Sequence, residues 1–97
     1  MTQFPQINLN GTDAKVLLDE YMNAIAGVAN AIECLKQVTC HGRDYQTLPD
    51  MRDAASIAFR EHGERLEKLQ QVHNDLHAIA IEIDRQIGER EKMRGRA

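Results

Sequence analysis

The sequence contains no tryptophan, few other aromatic residues and only two prolines, and these absences limit what the chain can build. Aromatic residues make up 4% of its 97 residues, and hydrophobic residues make up 42%. Large aromatic side chains supply much of the buried area in globular cores, so a core of Leu, Ile, Ala and Met will be thin in a chain of this length. We therefore expect one domain over residues 1–97 that gains stability by self-association.

Three further absences exclude whole classes of protein. No run approaches the roughly 20 consecutive apolar residues that cross a bilayer, and the first ten residues lack the basic start and apolar stretch of a signal peptide. The formal net charge is −3 at pH 7, so the chain has no overall basic charge to attract nucleic acid. We expect a cytoplasmic protein whose partners are neither membranes nor nucleic acids.

Cysteine is also scarce, with Cys34 and Cys40 six positions apart. This spacing does not place both on one face of a helix, and cytosolic thiols stay reduced, so we expect two free thiols that pack as small apolar residues. His73 and His77, four apart, could bind zinc together with His62, Cys34, Cys40 or a carboxylate. Neither a Cys-x-x-Cys nor a His-Glu-x-x-His motif is present, and no metal or cofactor is predicted.

A proline-free stretch at about 50–93 is the most informative part of the chain. Its apolar residues recur at steps of three and four, which indicates a helix with a heptad seam, about 60 Å long. The seam consists of Ala55, Phe59, Leu66, Leu69, Leu76, Ala80, Ile83 and Ile87, with His62 and His73 in the same series. The sequence leaves open whether the helix is continuous through Gly63 and Gly88, and whether the two histidines form a polar layer or a site.

A shorter helix is predicted at about 13–38, where Thr12 or Asp13 can cap the first turn. Its apolar series is Leu18, Met22, Ile25, Ala29, Ile32, Leu35 and Val38. With a connector at 39–50 and an extended leader at 1–11, the pattern predicts an all-α antiparallel helical hairpin. The leader carries Phe4, Ile7 and Leu9; it either covers a long helix, its own or a neighbour's, or frays.

The unequal helix lengths predict an oligomer. If the two helices fold back on each other, the N-terminal end of the first helix should lie opposite about residue 76. The long helix should project beyond that point. The projecting part carries the residues expected at an oligomer interface with coiled-coil-like packing, which are Leu76, Ile79, Ile83 and Ile87. We expect a homo-oligomer, whose order the sequence leaves open.

The connector is longer than the two to eight residues that typically join antiparallel helices. It carries five residues suited to binding a ligand or a protein partner, which are His41, Arg43, Asp44, Tyr45 and Gln46. The planar guanidinium of Arg43 suits a phosphate or a carboxylate, and the ring of Tyr45 offers a stacking surface.

A purely local interpretation of the connector remains open beside the functional one. In that interpretation Arg43 pairs with Asp44 or Asp50. The ring of Tyr45 then packs against Leu48 and Met51 without contacting any ligand.

Two strings, INLNGT at residues 7–12 and HGRDYQ at residues 41–46, are similar to those of small helical-hairpin proteins of phages and prophages. In that group a long helix with an Ala-x-x-Glu-His pattern follows, here AFREH at residues 58–62, and most functions are unassigned. A looser resemblance is to the phage sponges that sequester cyclic-nucleotide immune signals, which also place an Arg-acid pair between two helices. This chain lacks the tryptophan-rich second helix expected of such sponges.

These observations lead to two functional hypotheses. The first is a non-catalytic phage accessory protein that binds and inhibits a host or anti-phage defence component, acting in the host cytoplasm. The alternative is a sponge that binds a cyclic nucleotide at the HGRDYQ loop. We do not predict an enzyme, because the sequence has no nucleophile motif and no glycine-rich phosphate loop.

Overall fold

The computed structural model describes residues 2–8, 11–39 and 41–95, and within these ranges the regular secondary structure is helical, without a strand. Helix α1 spans Ala14–Lys36, a short 3-10 helix spans Gly42–Tyr45, and helix α2 spans Met51–Gly95. The predicted all-α class is confirmed. Helix α2 is one uninterrupted helix through Gly63 and Gly88, and it ends two residues later than predicted.

Local hydrogen bonds set the ends of α1. The Asp13 carboxylate accepts the backbone N–H groups of Lys15 at 3.0 Å and Val16 at 3.3 Å, so this residue caps the first turn. At the other end, the Val38 N–H donates to the Leu35 carbonyl at 3.1 Å. Such a three-residue bond tightens the last turn and turns the chain out of the helix, which explains why α1 ends before the predicted residue 38.

The two α-helices lie antiparallel, but α1 is placed further along α2 than the sequence suggested. Ala14 lines a cleft with Ile87 and Arg90 near one end of α2, whereas Lys36 lies beside Phe59 and Leu66. The prediction that the N-terminal end of α1 lies opposite residue 76 is therefore wrong, because that end lies opposite Ile87 and Arg90. The connector packs against the first turns of α2, and this displaces α1 towards the far end.

The leader lies along α2 of its own chain and is held by one side chain. The Gln86 amide accepts the backbone N–H of Ile7 at 2.8 Å and donates to the carbonyl of Pro5 at 3.0 Å. Further back, the Thr2 hydroxyl donates to Asp75 at 3.1 Å. One side-chain amide thus binds the carbonyl of Pro5 and the N–H of Ile7, two residues further on. A neighbouring β-strand would bind the backbone of an extended segment in the same way. The predicted contact of Leu9 lies outside the described residues.

An ion-pair cluster lies beside Gln86. The Arg85 guanidinium donates to Glu82 at 2.6 Å and to Glu89 at 2.8 Å, and the Gln86 amide also approaches Glu82 at 3.5 Å. The hydrogen bond from Arg85 keeps the pKa of Glu82 below its ordinary value. Glu82 therefore stays ionised to a lower pH than an ordinary glutamate. Exposed pairs of this kind add little stability.

The core lies where the leader, α1 and α2 meet. Ile83 is fully buried, Ile79 and Ala80 are buried beside it on α2, and Ile32 is the buried residue of α1. Ile79 and Ile83 are thus covered by their own chain and need no second copy to be buried, while Leu76 and Ile87 are half-buried. The argument that assigned these residues to an oligomer interface does not hold in this geometry.

The molecule is a thin rod of 73 × 23 × 20 Å with a radius of gyration of 20.7 Å. A compact domain of this length would have a radius of about 13 Å, so much apolar surface stays outside the core. On α1, Met22 is exposed although it was predicted in the buried series, whereas Tyr21 and Val28 are half-buried. The buried side of α1 is therefore rotated towards these two residues.

Replacing Gln86 tests the leader contact. We expect Gln86→Ala to lower the free energy of unfolding by about 1–2 kcal/mol, because it removes two hydrogen bonds and loosens the cover over Ile83. Gln71→Ala is the matched control, because Gln71 is an exposed residue of the same helix, and it should change stability by less than about 0.5 kcal/mol. Urea unfolding measures both. Equal stabilities of the two variants would show that the leader contributes nothing to the fold.

Candidate functional site

Backbone turns build the connector. The Asp44 N–H donates to the His41 carbonyl at 3.0 Å, and the Leu48 N–H donates to the Tyr45 carbonyl at 3.1 Å. A third bond, from Ala54 N–H to the Asp50 carbonyl at 2.8 Å, starts α2. These bonds use main-chain atoms alone, so they leave the side chains of the connector available for other contacts.

The ring of Tyr45 lies in a groove between the connector and α2. Tyr45 is half-buried and lines this groove of about 540 Å³ with the apolar Val38, Leu48 and Ile57 and with the polar Glu61, His62 and Arg65. Val38 is 54% exposed and Leu48 is 47% exposed. We call Val38, Tyr45, Leu48 and Ile57, with the neighbouring Arg43, the connector surface.

The polar residues of the connector point to solvent. Arg43, Asp44 and Gln46 are exposed, and no ion pair joins Arg43 to Asp44 or Asp50 in the described part of the chain. The local interpretation of Arg43 is therefore not supported. For Tyr45 it holds in part, since Leu48 lines the same groove, whereas the side chain of Met51 lies outside those the structure describes.

His41 belongs to a second groove, which adjoins the first because Val38 and His62 line both. This groove, of about 430 Å³, is lined by Lys36, His41, Phe59 and His62, and by Val38, Thr39, Gly63 and Leu66. His41 and Tyr45 therefore do not line one pocket, and Arg43, Asp44 and Gln46 line neither groove. The five predicted residues share a loop but not one site.

The sequence reasoning missed the role of Phe59 in the second groove. The heptad series placed Phe59 in a buried seam, yet its side chain is 71% exposed. Periodicity shows that residues share a side of a helix, but not where a neighbouring helix stops covering that side. The end of α1 could have indicated this exposure. Its last residue, Lys36, lies beside Phe59, so α1 does not continue over the Phe59 ring.

The histidines and cysteines do not assemble into a metal site in the described residues, where no group of three potential ligands is close enough. The rings of His73 and His77 stack with centroids 6.4 Å apart. Within the described chain, the buried Nδ1 atom of His73 has no hydrogen-bond partner. Cys34 is a free thiol but is exposed, so its predicted packing role is wrong. Cys40 lies outside the described residues.

Among the described residues, no helix is both long and apolar enough to span a bilayer. No protein-family model, curated protein or solved structure matches the chain. The resemblance to phage helical-hairpin proteins therefore stays a prediction, and the function has to be argued from the surface of the molecule.

Two substitutions separate the structural from the exposed part of the connector. We expect Tyr45→Ala to lower the free energy of unfolding by about 1–3 kcal/mol, because its half-buried ring is lost from the groove. Arg43→Ala should change it by less than about 0.5 kcal/mol, because the side chain is exposed and unpaired in the described chain. Urea unfolding monitored by circular dichroism measures both. A large loss with Arg43→Ala would mean that Arg43 holds the connector in place.

Proposed function

We propose that the protein is a non-catalytic interaction protein that binds a protein partner at the connector surface. The observation that carries this proposal is the exposure of Val38, Leu48 and Ile57 around the half-buried Tyr45. Arg43, two positions before Tyr45 in the connector, is exposed and forms no ion pair in the described chain. Apolar centres with tyrosine and arginine are typical of binding hot spots. The resemblance to phage proteins supports a host or anti-phage defence protein as the partner, which binding would inhibit.

The chemistry of the connector surface defines what the partner should present. An apolar side chain would fill the groove between Leu48 and Ile57 and remove both from water. A carboxylate next to it would accept two hydrogen bonds from the guanidinium of Arg43. We therefore expect a protein surface with an apolar residue flanked by an acidic one.

Self-association through coiled-coil-like packing is the second part of the proposal. It is supported by the small core, since large apolar residues on both helices remain exposed. A rod with so little buried area gains stability when a second chain covers part of that surface. Self-association would also present two connector surfaces in one particle, which raises the apparent affinity for a repeated partner.

Affinity capture from bacterial cells tests partner binding. We expect Leu48→Asp to reduce recovery of the specific partner at least about tenfold, because a carboxylate in place of Leu48 would meet the partner's apolar side chain and cost more than about 1.4 kcal/mol of binding energy. Arg43→Glu should have a similar effect through repulsion of the partner's carboxylate. Val16→Asp is the control, since Val16 is an exposed apolar residue on α1, away from the connector. If all three variants recover the same proteins in the same amounts, partner binding does not use the connector surface.

A small-molecule sponge remains the second candidate, and one observation favours it. The groove that contains His41 also contains Lys36 and His62 and has no carboxylate among its lining residues. Its exposed Phe59 ring offers a stacking surface for a base, while the ammonium and the imidazoles can contact phosphate. A nucleotide would thus bind at this groove rather than at Arg43 and Tyr45.

Thermal unfolding with a panel of cyclic nucleotides separates the two functions. A ligand at about one hundred times its dissociation constant adds roughly 2.7 kcal/mol of stability, which is a shift of several degrees in a domain of this size. We expect no shift for any member of the panel. A shift that Phe59→Ala abolishes and Arg43→Ala preserves would establish the sponge and reject the lead proposal.

A further inference from the structure

The groove that Tyr45 lines and the groove that His41 lines form one continuous surface. We call them the first and the second groove, and Val38 and His62 line both. The other α2 residues of the first groove are Ala54, Ile57, Ala58, Glu61 and Arg65, and those of the second are Phe59, Gly63 and Leu66. At 3.6 residues per turn, these two sets lie on either side of His62 around the helix axis. The grooves therefore flank Val38, which forms the ridge between them.

Exposed apolar residues concentrate on this surface. Among the described residues ten large hydrophobic side chains are exposed, and four of them line the two grooves, which are Val38, Leu48, Ile57 and Phe59. The other six are spread along the rest of the 73 Å rod. A cluster of this kind marks an interaction site. Because it is divided into two grooves, it fits a partner that presents at least two apolar side chains.

The charge of this surface is opposite in sign to that of the whole chain. The second groove is lined by Lys36, His41 and His62 and by no carboxylate. The first groove adds Arg65 and a single carboxylate, Glu61, whereas the chain has 15 acidic against 12 basic residues. The two grooves together therefore attract an acidic partner and disfavour a basic one.

Lys36 already has an acidic neighbour, but that neighbour lies outside the groove. Lys36 Nζ is 3.2 Å from Glu33 Oε1, and both side chains are more than half exposed. Glu33 is not among the residues that line the second groove. An exposed pair of this kind is worth at most about 1 kcal/mol, so a carboxylate of a partner can replace Glu33 at small cost.

We propose that the partner of the connector surface presents an acidic chain segment, which crosses Val38 and places one apolar side chain in each groove. The first anchor contacts Leu48 and Ile57, and the second covers the exposed ring of Phe59. A carboxylate beside the second anchor contacts Lys36. This inference rests on the proposed function and extends its site, because it adds the second groove to the surface that the partner covers.

The two-groove shape favours a protein segment over a nucleotide. A nucleotide has one base to stack on Phe59 and phosphates to contact Lys36, so it would fill the second groove alone. Leu48 and Ile57 would then stay in water. A segment with two anchors removes the apolar residues of both grooves from water, and this burial supplies the larger driving force.

Selection of short random peptides on the intact chain tests the chemistry of the partner. We expect the enriched peptides to share two large apolar residues and to carry more Asp and Glu than Lys and Arg. Enrichment of basic or uncharged peptides would overturn the proposal, and so would a selection in which no peptide is enriched.

Charge reversal in the second groove tests where the segment binds. We expect Lys36→Glu and His41→Glu each to weaken binding of the tightest selected peptide at least about tenfold, because both place a carboxylate beside the peptide's own. Lys15→Glu is the matched control, since it makes the same charge change at an exposed residue near the other end of α1, and it should weaken binding less than about twofold. Fluorescence anisotropy of the labelled peptide measures the affinity, and circular dichroism checks that each variant is folded. Equal weakening by Lys36→Glu and Lys15→Glu would show a long-range effect of net charge and overturn the proposal.

The proposed function and this inference fail in different ways. If Leu48→Asp abolishes recovery of the cellular partner while Lys36→Glu and His41→Glu change neither that recovery nor peptide binding, the second groove is not used and the connector surface stands. If Leu48→Asp leaves both the cellular partner and the selected peptide bound, the connector surface is not the binding site, and both proposals are wrong.

Discussion

The side-chain amide of Gln86 is the interaction on which the rest of this structure depends. It holds the leader against α2 through Pro5 and Ile7, along the same part of α2 that carries the buried residues Ile79, Ala80 and Ile83. Glu82, one turn earlier on the helix, lies 3.5 Å from the Gln86 amide and also accepts from Arg85. A short extended segment therefore does the work that a third helix does in a larger bundle.

The small core also explains why so many apolar residues are exposed to solvent. The core occupies the region where three segments meet, and beyond it α2 is accompanied by one neighbour at a time. Large apolar residues such as Phe59 and Leu48 remain on the surface. They form grooves beside the connector and an open side of α2, and a rod of this shape offers them to partners without any conformational change.

The sequence predicts the elements of the fold better than their arrangement. Periodicity defined both helices, because each side chain series reflects burial along one side of a helix. It could not give the register between α1 and α2, because the register depends on how far the connector packs along the first turns of α2. The same limit affected the site. His41 and Tyr45 are close in sequence, but the 3-10 helix at Gly42–Tyr45 turns the chain between them, so the two side chains enter different grooves.

The position of the leader also determines where the N-terminal end of the described chain leaves the molecule. Thr2 bonds to Asp75, near the middle of α2 rather than at either tip. Anything attached there, whether a fusion partner or a fluorescent label, would emerge from the waist of the 73 Å rod. A label on the last turns of α2 would instead sit at one end. Labels at the two attachment points therefore report on different parts of any assembly. A bulky group near Thr2 would also disturb the leader, which packs along α2.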